Sequence, residues 1–149
     1  METLKQIENW FKQAVPNPIG KNKLMQISCH NEEFIEMIKA VTGEDIKDIE
    51  EHLVTDFRND INTHPEYIDV ALSVVDKDAL LDSLCDQIVT AIGVAYMFGF
   101  DIQGALSEVN ASNWSKFEDG KPIFNEQGKI IKGKDYFKPN LKPFLGENK

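Results

Sequence analysis

Apolar residues recur every three or four positions along most of the first 114 residues of the chain. This spacing is typical of one face of an α-helix. It predicts helices over about residues 4–14, 24–41, 46–61 and 76–98, a short helix or irregular segment before residue 75, and a last helix from 101 to about 114. We therefore expect an all-α fold, a helical bundle of four to five helices.

Local signals mark the ends of these helices. Gly43 and Gly99 follow apolar helical runs and can close them. Asp76 or Asp78 can cap the start of the most apolar helix, and Asp101 can cap the next.

The composition is that of one ordinary soluble domain, which we place over residues 1–149. The chain is 42% hydrophobic and 28% charged, with a net charge of -9 that argues against partners such as nucleic-acid polymers or membrane surfaces. Two cysteines do not make a disulfide framework, and no secretory signal opens the chain, so we expect a cytoplasmic protein. On its apolar helix Cys85 is expected to be a core thiol.

The character of the sequence changes after Trp114. Residues 116–149 hold 8 lysines against 5 acids, and two short apolar runs at 122–124 and 129–131 flank a turn-forming stretch. This pattern predicts a lysine-rich appendage made of a small hairpin and an extended tail.

The stretch ALLDSLCDQI, residues 79–88, contains an unexpected charge pattern. Asp82 and Asp86 lie one helical turn apart among apolar residues, and no Lys or Arg lies three or four positions from either. Like charges at that spacing repel. Positive charge from outside the helix is therefore expected.

A second acidic set lies in HNEEFIEM, residues 30–37. Glu33 and Glu36 lie about 60° apart around a helix, so both carboxylates can converge on one point. Lys39 is a local cation within reach of Glu36. If the two acidic helices pack as neighbours, a hard cation such as Mg²⁺ would relieve the repulsion between their carboxylates. Ordinary solvated surface acids are the competing interpretation.

The order of these elements resembles a known family. Glu33-x-x-Glu36, then DSLCDQIVTAIG, EVNASNWSKF and GKPIFNEQGKIIKG, looks like the MazG-like all-alpha nucleoside triphosphate pyrophosphohydrolases, particularly phage-type, phosphoribosyl-ATP pyrophosphohydrolase-like members. The resemblance covers roughly residues 28–145. It implies a Mg²⁺-dependent hydrolase, with Mn²⁺ as a substitute metal, that cleaves a (deoxy)nucleoside triphosphate to monophosphate and pyrophosphate.

The same resemblance assigns roles to residues. Glu33 and Glu36 match the first metal-binding pair, and Asp86 matches the acid that closes the second. Ser83 stands where the family has Glu, so Asp82 is the substitute ligand. Either Glu32 or Glu33 is the candidate general base for water attack on the α-phosphorus.

Candidate substrate-binding residues lie at the end of the last helix and after it. The resemblance favours contact of Asn113 and Lys116 with the nucleotide. Lys132, with Lys129 and Lys134, could close over the phosphates, and solvation of an exposed hairpin explains these lysines equally well. Trp114 and Phe117 are assigned to packing.

The resemblance also implies a homodimer or homotetramer. Two other classes of function stay open: a non-catalytic dimerising helical module with a degenerate site, and a ferritin-like redox bundle. His30, three residues before Glu33, fits the latter in spacing. That bundle needs a Glu-x-x-His pair on two helices, and the helix with Asp86 has no histidine.

Overall fold

The computed structural model describes residues 2–43, 46–126 and 128–146, with the side chains of 40–42 outside this description. The structure is 69% helical, and the described residues form no strand, which confirms the all-α fold. The elements in order are α1 Glu2–Ala14, α2 Gly20–Thr42, α3 Lys47–Glu50, a π-helical segment Glu51–Asp56, α4 Phe57–Thr63, α5 Pro65–Ser73, α6 Lys77–Met97, α7 Ile102–Trp114 and a 3₁₀ turn Lys142–Phe144.

The chain divides into two compact units, each described here by itself. The first unit comprises residues 1–16, 76–123 and 130–149, and the second comprises 17–75 and 124–129. The single domain predicted over residues 1–149 stays a prediction, and its last three residues lie outside the described ones.

The first unit has a small aromatic core between α1 and the end of α7. Trp10 and Phe117 are both 7% exposed, and their rings stack with centroids 5.3 Å apart. The ring of Trp114 meets Phe117 edge-on at 5.5 Å. The indole nitrogen of Trp10 also donates a hydrogen bond to the carbonyl of Asn113 at 2.9 Å. The packing role predicted for Trp114 and Phe117 is therefore confirmed.

The core of the second unit lies between α2, α4 and α5. Leu24, Met25 and Ile61 are almost fully buried, with the ring of Phe57 and residues of α5 packed around them. The apolar residues of α2 are not all buried, since Ile35 is 1% exposed but Phe34 is 52% exposed. Gly43 closes α2 as predicted, because its φ of 69° lies in the left-handed region that glycine adopts without strain.

The helix expected over residues 46–61 is interrupted by the π-helical segment. Spacing of four residues predicts that Ile49, Leu53, Phe57 and Ile61 share one face of the helix. Ile61 is 2% exposed, whereas Ile49 is 51% and Leu53 38% exposed, and Val54 is buried instead. Bonds from i to i+5 place more residues in each turn than an α-helix has, so the buried face shifts by about one position.

Helix α6 begins where an N-cap was predicted. Oδ1 of Asp76 accepts hydrogen bonds from the backbone nitrogens of Asp78 and Ala79, both at 3.1 Å. Asp101 caps α7 in the same way, since its Oδ1 accepts a hydrogen bond from the backbone nitrogen of Gly104 at 3.0 Å. Among the described residues, α6 is the one helix long and apolar enough to cross a membrane. Only 6% of its most apolar 18-residue stretch is buried within the structure.

The exposure of α6 corrects one expectation. Cys85 is exposed rather than a core thiol, and it is a free cysteine. The apolar face around it is exposed as well, which makes this helix unlike the buried core helix that its composition suggests.

The appendage after α7 is held by hydrogen bonds rather than by strands. The nitrogen of Ile131 donates to the carbonyl of Ile123 at 2.9 Å, as in a short hairpin. Further along, Ser112 donates from its hydroxyl to the carbonyl of Phe137 at 2.7 Å, and the nitrogen of Asp101 donates to the carbonyl of Phe144 at 2.9 Å. Hydrogen bonds to α7 and to its capping residue Asp101 thus fix the tail of the first unit.

Candidate functional site

The acids predicted on the second helix lie on α2, within its regular part. Glu33 and Glu36 are exposed, and Ile35 between them is buried. The helix therefore presents this pair of carboxylates, one turn apart, to solvent. Lys39 forms an ion pair with Glu50, a partner that spacing along α2 could not reveal.

Glu32 lies at the centre of a charged cluster in the second unit. Its Oε2 accepts a hydrogen bond from Nη2 of Arg58 at 2.8 Å and another from Nζ of Lys129 at 2.6 Å. The Arg58 side chain is 12% exposed, that of Glu32 24% and that of Lys129 40%. Lys129, predicted either to cover phosphates or to be solvated, is held by this carboxylate instead.

This cluster shifts two ionisation equilibria. Burial alone would raise the pKa of Glu32, but the hydrogen bonds and charges of Arg58 and Lys129 outweigh it and hold that pKa below its usual value. Burial would likewise lower the pKa of Arg58, and the Glu32 carboxylate raises it instead. Both groups are therefore charged at neutral pH.

Arg58 is the member of this charged cluster that the sequence did not predict. Its guanidinium contacts Sγ of Cys29 at 3.7 Å, and its carbonyl accepts a hydrogen bond from Asn62 at 2.8 Å. In the part of the chain that the structure describes, Nε of Arg58 and the fully buried hydroxyl of Ser28 make no hydrogen bond. The available signal was composition, because Arg58 is the only arginine in a sequence that otherwise uses lysine.

The acids predicted on the fourth helix lie on α6, in the first unit. Asp82 and Asp86 are both exposed. Ser83, at the position where the family has Glu, accepts a hydrogen bond from the side chain of Gln87 at 3.3 Å. Carboxylates are the hard oxygen donors that Mg²⁺ prefers, so the pair on α2 and the pair on α6 are each of a type that fits this metal chemically.

Within residues 2–43, 46–126 and 128–146, no three His, Cys, Asp or Glu side chains group closely enough to hold a metal ion. Glu33 and Glu36 belong to the second unit, and Asp82 and Asp86 belong to the first. Each unit is described by itself, so the set of four metal ligands stays a prediction.

Of the predicted substrate-binding residues, Asn113, Lys116 and Lys132 lie in the first unit, whereas Lys129 belongs to the second. Asn113 and Lys116 are half-buried at the end of α7, and the carbonyl of Lys116 accepts a hydrogen bond from the nitrogen of Gly133 at 3.1 Å. Lys132 is exposed, with its ammonium 4.8 Å from the centre of the Tyr136 ring. These contacts place Lys116 and Lys132 on one hairpin-like segment.

A small cavity of about 210 Å³ opens in the second unit. Its lining residues are Lys21, Asn22, Met25, Phe124 and Gly128. Sites for drug-sized ligands usually occupy about 300–1,000 Å³, so this cavity by itself is small for a nucleotide.

Comparison with known proteins adds no relative. No family model matches this sequence, and no curated protein or solved structure is significantly similar to it. The class that the fold defines is an all-α protein with charged groups presented on α2 and α6.

Proposed function

We propose that the protein hydrolyses a (deoxy)nucleoside triphosphate to the monophosphate and pyrophosphate, with Mg²⁺ held by Glu33, Glu36, Asp82 and Asp86. The observation that carries this proposal is that both predicted pairs of acids lie one turn apart on regular helices, with all four residues exposed. Exposed carboxylates can bind a partly hydrated cation without a buried uncompensated charge. Mn²⁺ should replace Mg²⁺ because it accepts the same ligands.

The chemical step needs a base close to the bound metal. Bound Mg²⁺ would neutralise the triphosphate and polarise the attacking water. One carboxylate oxygen of Glu33 would bind the metal, and its other oxygen would accept the proton of that water while the water oxygen attacks the α-phosphorus. The bond from this phosphorus to its bridging oxygen breaks, and pyrophosphate leaves with the electron pair.

Glu32 is the other predicted base, and its contacts favour a different role. A carboxylate whose pKa is held low by Arg58 and Lys129 is a weaker proton acceptor. We therefore assign Glu32 to holding these two cations beside the acids of α2. Among the phosphate-binding candidates, Lys116 and Lys132 would act as point charges, and Asn113 as a hydrogen-bonding group.

The test is a panel of ribonucleoside and deoxynucleoside triphosphates incubated with the full chain and Mg²⁺. We expect monophosphate and pyrophosphate in equal amounts, identified by ³¹P NMR. Release of orthophosphate without pyrophosphate, or no hydrolysis with either Mg²⁺ or Mn²⁺, contradicts the proposal.

Variants assign the activity to the acids. Glu36→Gln and Asp86→Asn should each lose hydrolysis and metal affinity while keeping the helical circular dichroism signal, because exposed carboxylates contribute little to folding. Asp78→Asn is the matched control, being an exposed acid on α6 one turn before Asp82. Activity in Glu36→Gln equal to wild type would remove this residue from the site.

The non-catalytic helical module is the second candidate function. The exposed apolar face of α6 favours it, since such faces mark interaction surfaces. A folded protein that hydrolyses no nucleotide but self-associates would support this candidate over the hydrolase.

A further inference from the structure

The cavity of about 210 Å³ in the second unit has walls from two parts of the chain. Lys21, Asn22 and Met25 line it from the first turns of α2, and Phe124 and Gly128 line it from the hairpin-like segment. All five residues belong to the second unit, so the cavity lies within one compact body.

Hydrogen bonds hold the turn that forms one wall of this cavity. The nitrogen of Asn125 donates to the carbonyl of Lys129 at 2.9 Å, and the nitrogen of Lys129 donates to Oδ1 of Asn125 at 2.9 Å. The ion pair of Lys129 with Glu32, at 2.6 Å, ties the same turn to α2. The turn is therefore fixed against the helix, and the cavity is preformed, as ligand sites usually are.

The polar side chains of the cavity are hydrogen-bond donors. Oδ1 of Asn22 accepts a hydrogen bond from the nitrogen of Ile19 at 3.0 Å, which leaves the two N–H groups of its amide for another partner. Lys21 is half-buried, and its ammonium forms no ion pair with any residue that the structure describes. A ligand at this position must supply acceptors, and the lysine favours one with a negative charge.

The other side chains of the cavity are apolar. Met25 is 5% exposed and Phe124 is 42% exposed. A thioether and an aromatic side chain both pack well against an aromatic ring. The lining residues within the described part of the chain include no carboxylate that would repel an anion.

We propose that this cavity binds a small aromatic carboxylate. The ring lies between Met25 and Phe124, and the two carboxylate oxygens accept hydrogen bonds from Lys21 and Asn22. A bare phosphate would leave both apolar side chains without a contact. A whole nucleotide needs more space than about 210 Å³, whereas one ring with a carboxylate does not.

The cavity is separate from the acids proposed to bind Mg²⁺. Asn22 and Glu33 lie on the same helix, and the rise of 1.5 Å per residue separates them by roughly 16 Å along its axis. A single ring cannot contact both. Binding to the cavity therefore does not depend on nucleotide hydrolysis, and it can be tested without nucleotide or metal.

The first experiment titrates benzoate into the full chain labelled with ¹³C at the methionine methyl groups. The chain has four methionines, and Met25→Leu identifies the NMR signal of Met25. We expect this signal to shift saturably, with a Kd on the order of 1 mM for so small a ligand. The signal of Met37, which is 46% exposed on the same helix, should not shift. An unchanged Met25 signal would overturn the proposal.

Two other probes separate the parts of the ligand. Benzamide keeps the ring and loses the charge, and inorganic phosphate keeps the charge and loses the ring. Each should bind about tenfold more weakly than benzoate, because each lacks one of the two kinds of contact. Phosphate or benzamide binding as tightly as benzoate contradicts the proposal.

Substitutions with matched controls assign the contacts. Lys21→Gln should weaken benzoate binding about tenfold, whereas Lys23→Gln, an exposed lysine outside the cavity, should not. Phe124→Leu should also weaken it, whereas Phe137→Leu, similarly exposed at 44%, should not. None of these four side chains is buried, so each variant should keep its circular dichroism signal. Equal affinity in Lys21→Gln and Lys23→Gln, or in the two leucine variants, would overturn the proposed site.

A competition experiment tests the separation from the nucleotide site. Addition of a nucleoside triphosphate and Mg²⁺ should leave the benzoate-induced shift of Met25 unchanged. Displacement of benzoate would place the ring in the nucleotide site and would refute a separate cavity.

Discussion

The Glu32→Gln substitution directly tests the charged cluster formed by Glu32, Arg58 and Lys129. It removes the negative charge that accepts hydrogen bonds from Arg58 at 2.8 Å and from Lys129 at 2.6 Å, while keeping the size of the side chain. The loss mainly destabilises Arg58, because its charged side chain is only 12% exposed and cannot be fully hydrated once the carboxylate is gone. Lys129 is 40% exposed and can turn towards water.

The size of the effect follows from this difference in exposure. Exposed ion pairs contribute about 0–1 kcal/mol, and removing one partner of a buried pair costs about 3–5 kcal/mol. A half-buried pair with one exposed cation lies between, so we expect a loss of about 2 kcal/mol in the free energy of unfolding. For a chain of this length that loss lowers Tm by roughly 4–8 °C.

The pH dependence gives an independent check. The folded pKa of Glu32 is lower than the ordinary value of 4.5, so the ion pairs stabilise the folded state fully above about pH 4.5. Their contribution is lost as the pH falls through the lower, folded pKa. The difference in stability between wild type and Glu32→Gln should therefore be largest at neutral pH and should narrow in acid.

Urea unfolding followed by circular dichroism, in EDTA to exclude metals, measures these differences. Glu8→Gln is the control, because Glu8 pairs with Lys12 on the exposed side of α1. Its unfolding curve should match that of the wild type. Equal stability of Glu32→Gln and wild type at neutral pH, or a difference that grows in acid, would refute the assigned cluster.

Other substitutions test the packing and the site. Trp10→Phe should destabilise by about 1–2 kcal/mol in urea unfolding, because it loses the hydrogen bond to the Asn113 carbonyl and part of the ring stack. Gly104→Ala should lower Tm, since its Cβ would lie 2.5 Å from an aromatic ring carbon of the tail. Gly93→Ala should raise Tm and increase the free energy of unfolding by about 0.5–1 kcal/mol, because nothing lies within 4 Å of the new methyl group. Lys116→Ala should raise KM or lower kcat for the triphosphate without changing Mg²⁺ affinity, and unchanged kinetics would remove it from the substrate site.

The features predicted best from the sequence are those decided locally. Gly43 ends α2, and Asp101 caps α7, because each residue acts on backbone groups only a few positions away. The same holds for the overall helical content, since periodicity is read within a single helix. These predictions needed no knowledge of which helices are neighbours.

Predictions that depended on distant contacts were less successful. Arg58 and Lys129 lie 26 and 97 residues from Glu32, so no spacing rule could pair them. The exposure of Cys85 was mispredicted because periodicity identifies an apolar face but not what covers it. Whether Glu33, Glu36, Asp82 and Asp86 converge on one metal also depends on distant contacts. The activities of Glu36→Gln and Asp86→Asn test it.

The π-helical segment Glu51–Asp56 affects how the helical stretch from α3 to α4 can change in length. Because the wide turn holds an additional residue, we expect that one residue can be deleted there while an ordinary α-helix forms across the gap. The side chains on either side would then keep their directions, so Ile61 would stay buried. In α6, a regular helix, the same deletion would rotate every later residue by about 100°. A single-residue deletion is therefore expected to be tolerated at this turn and to be disruptive in α6.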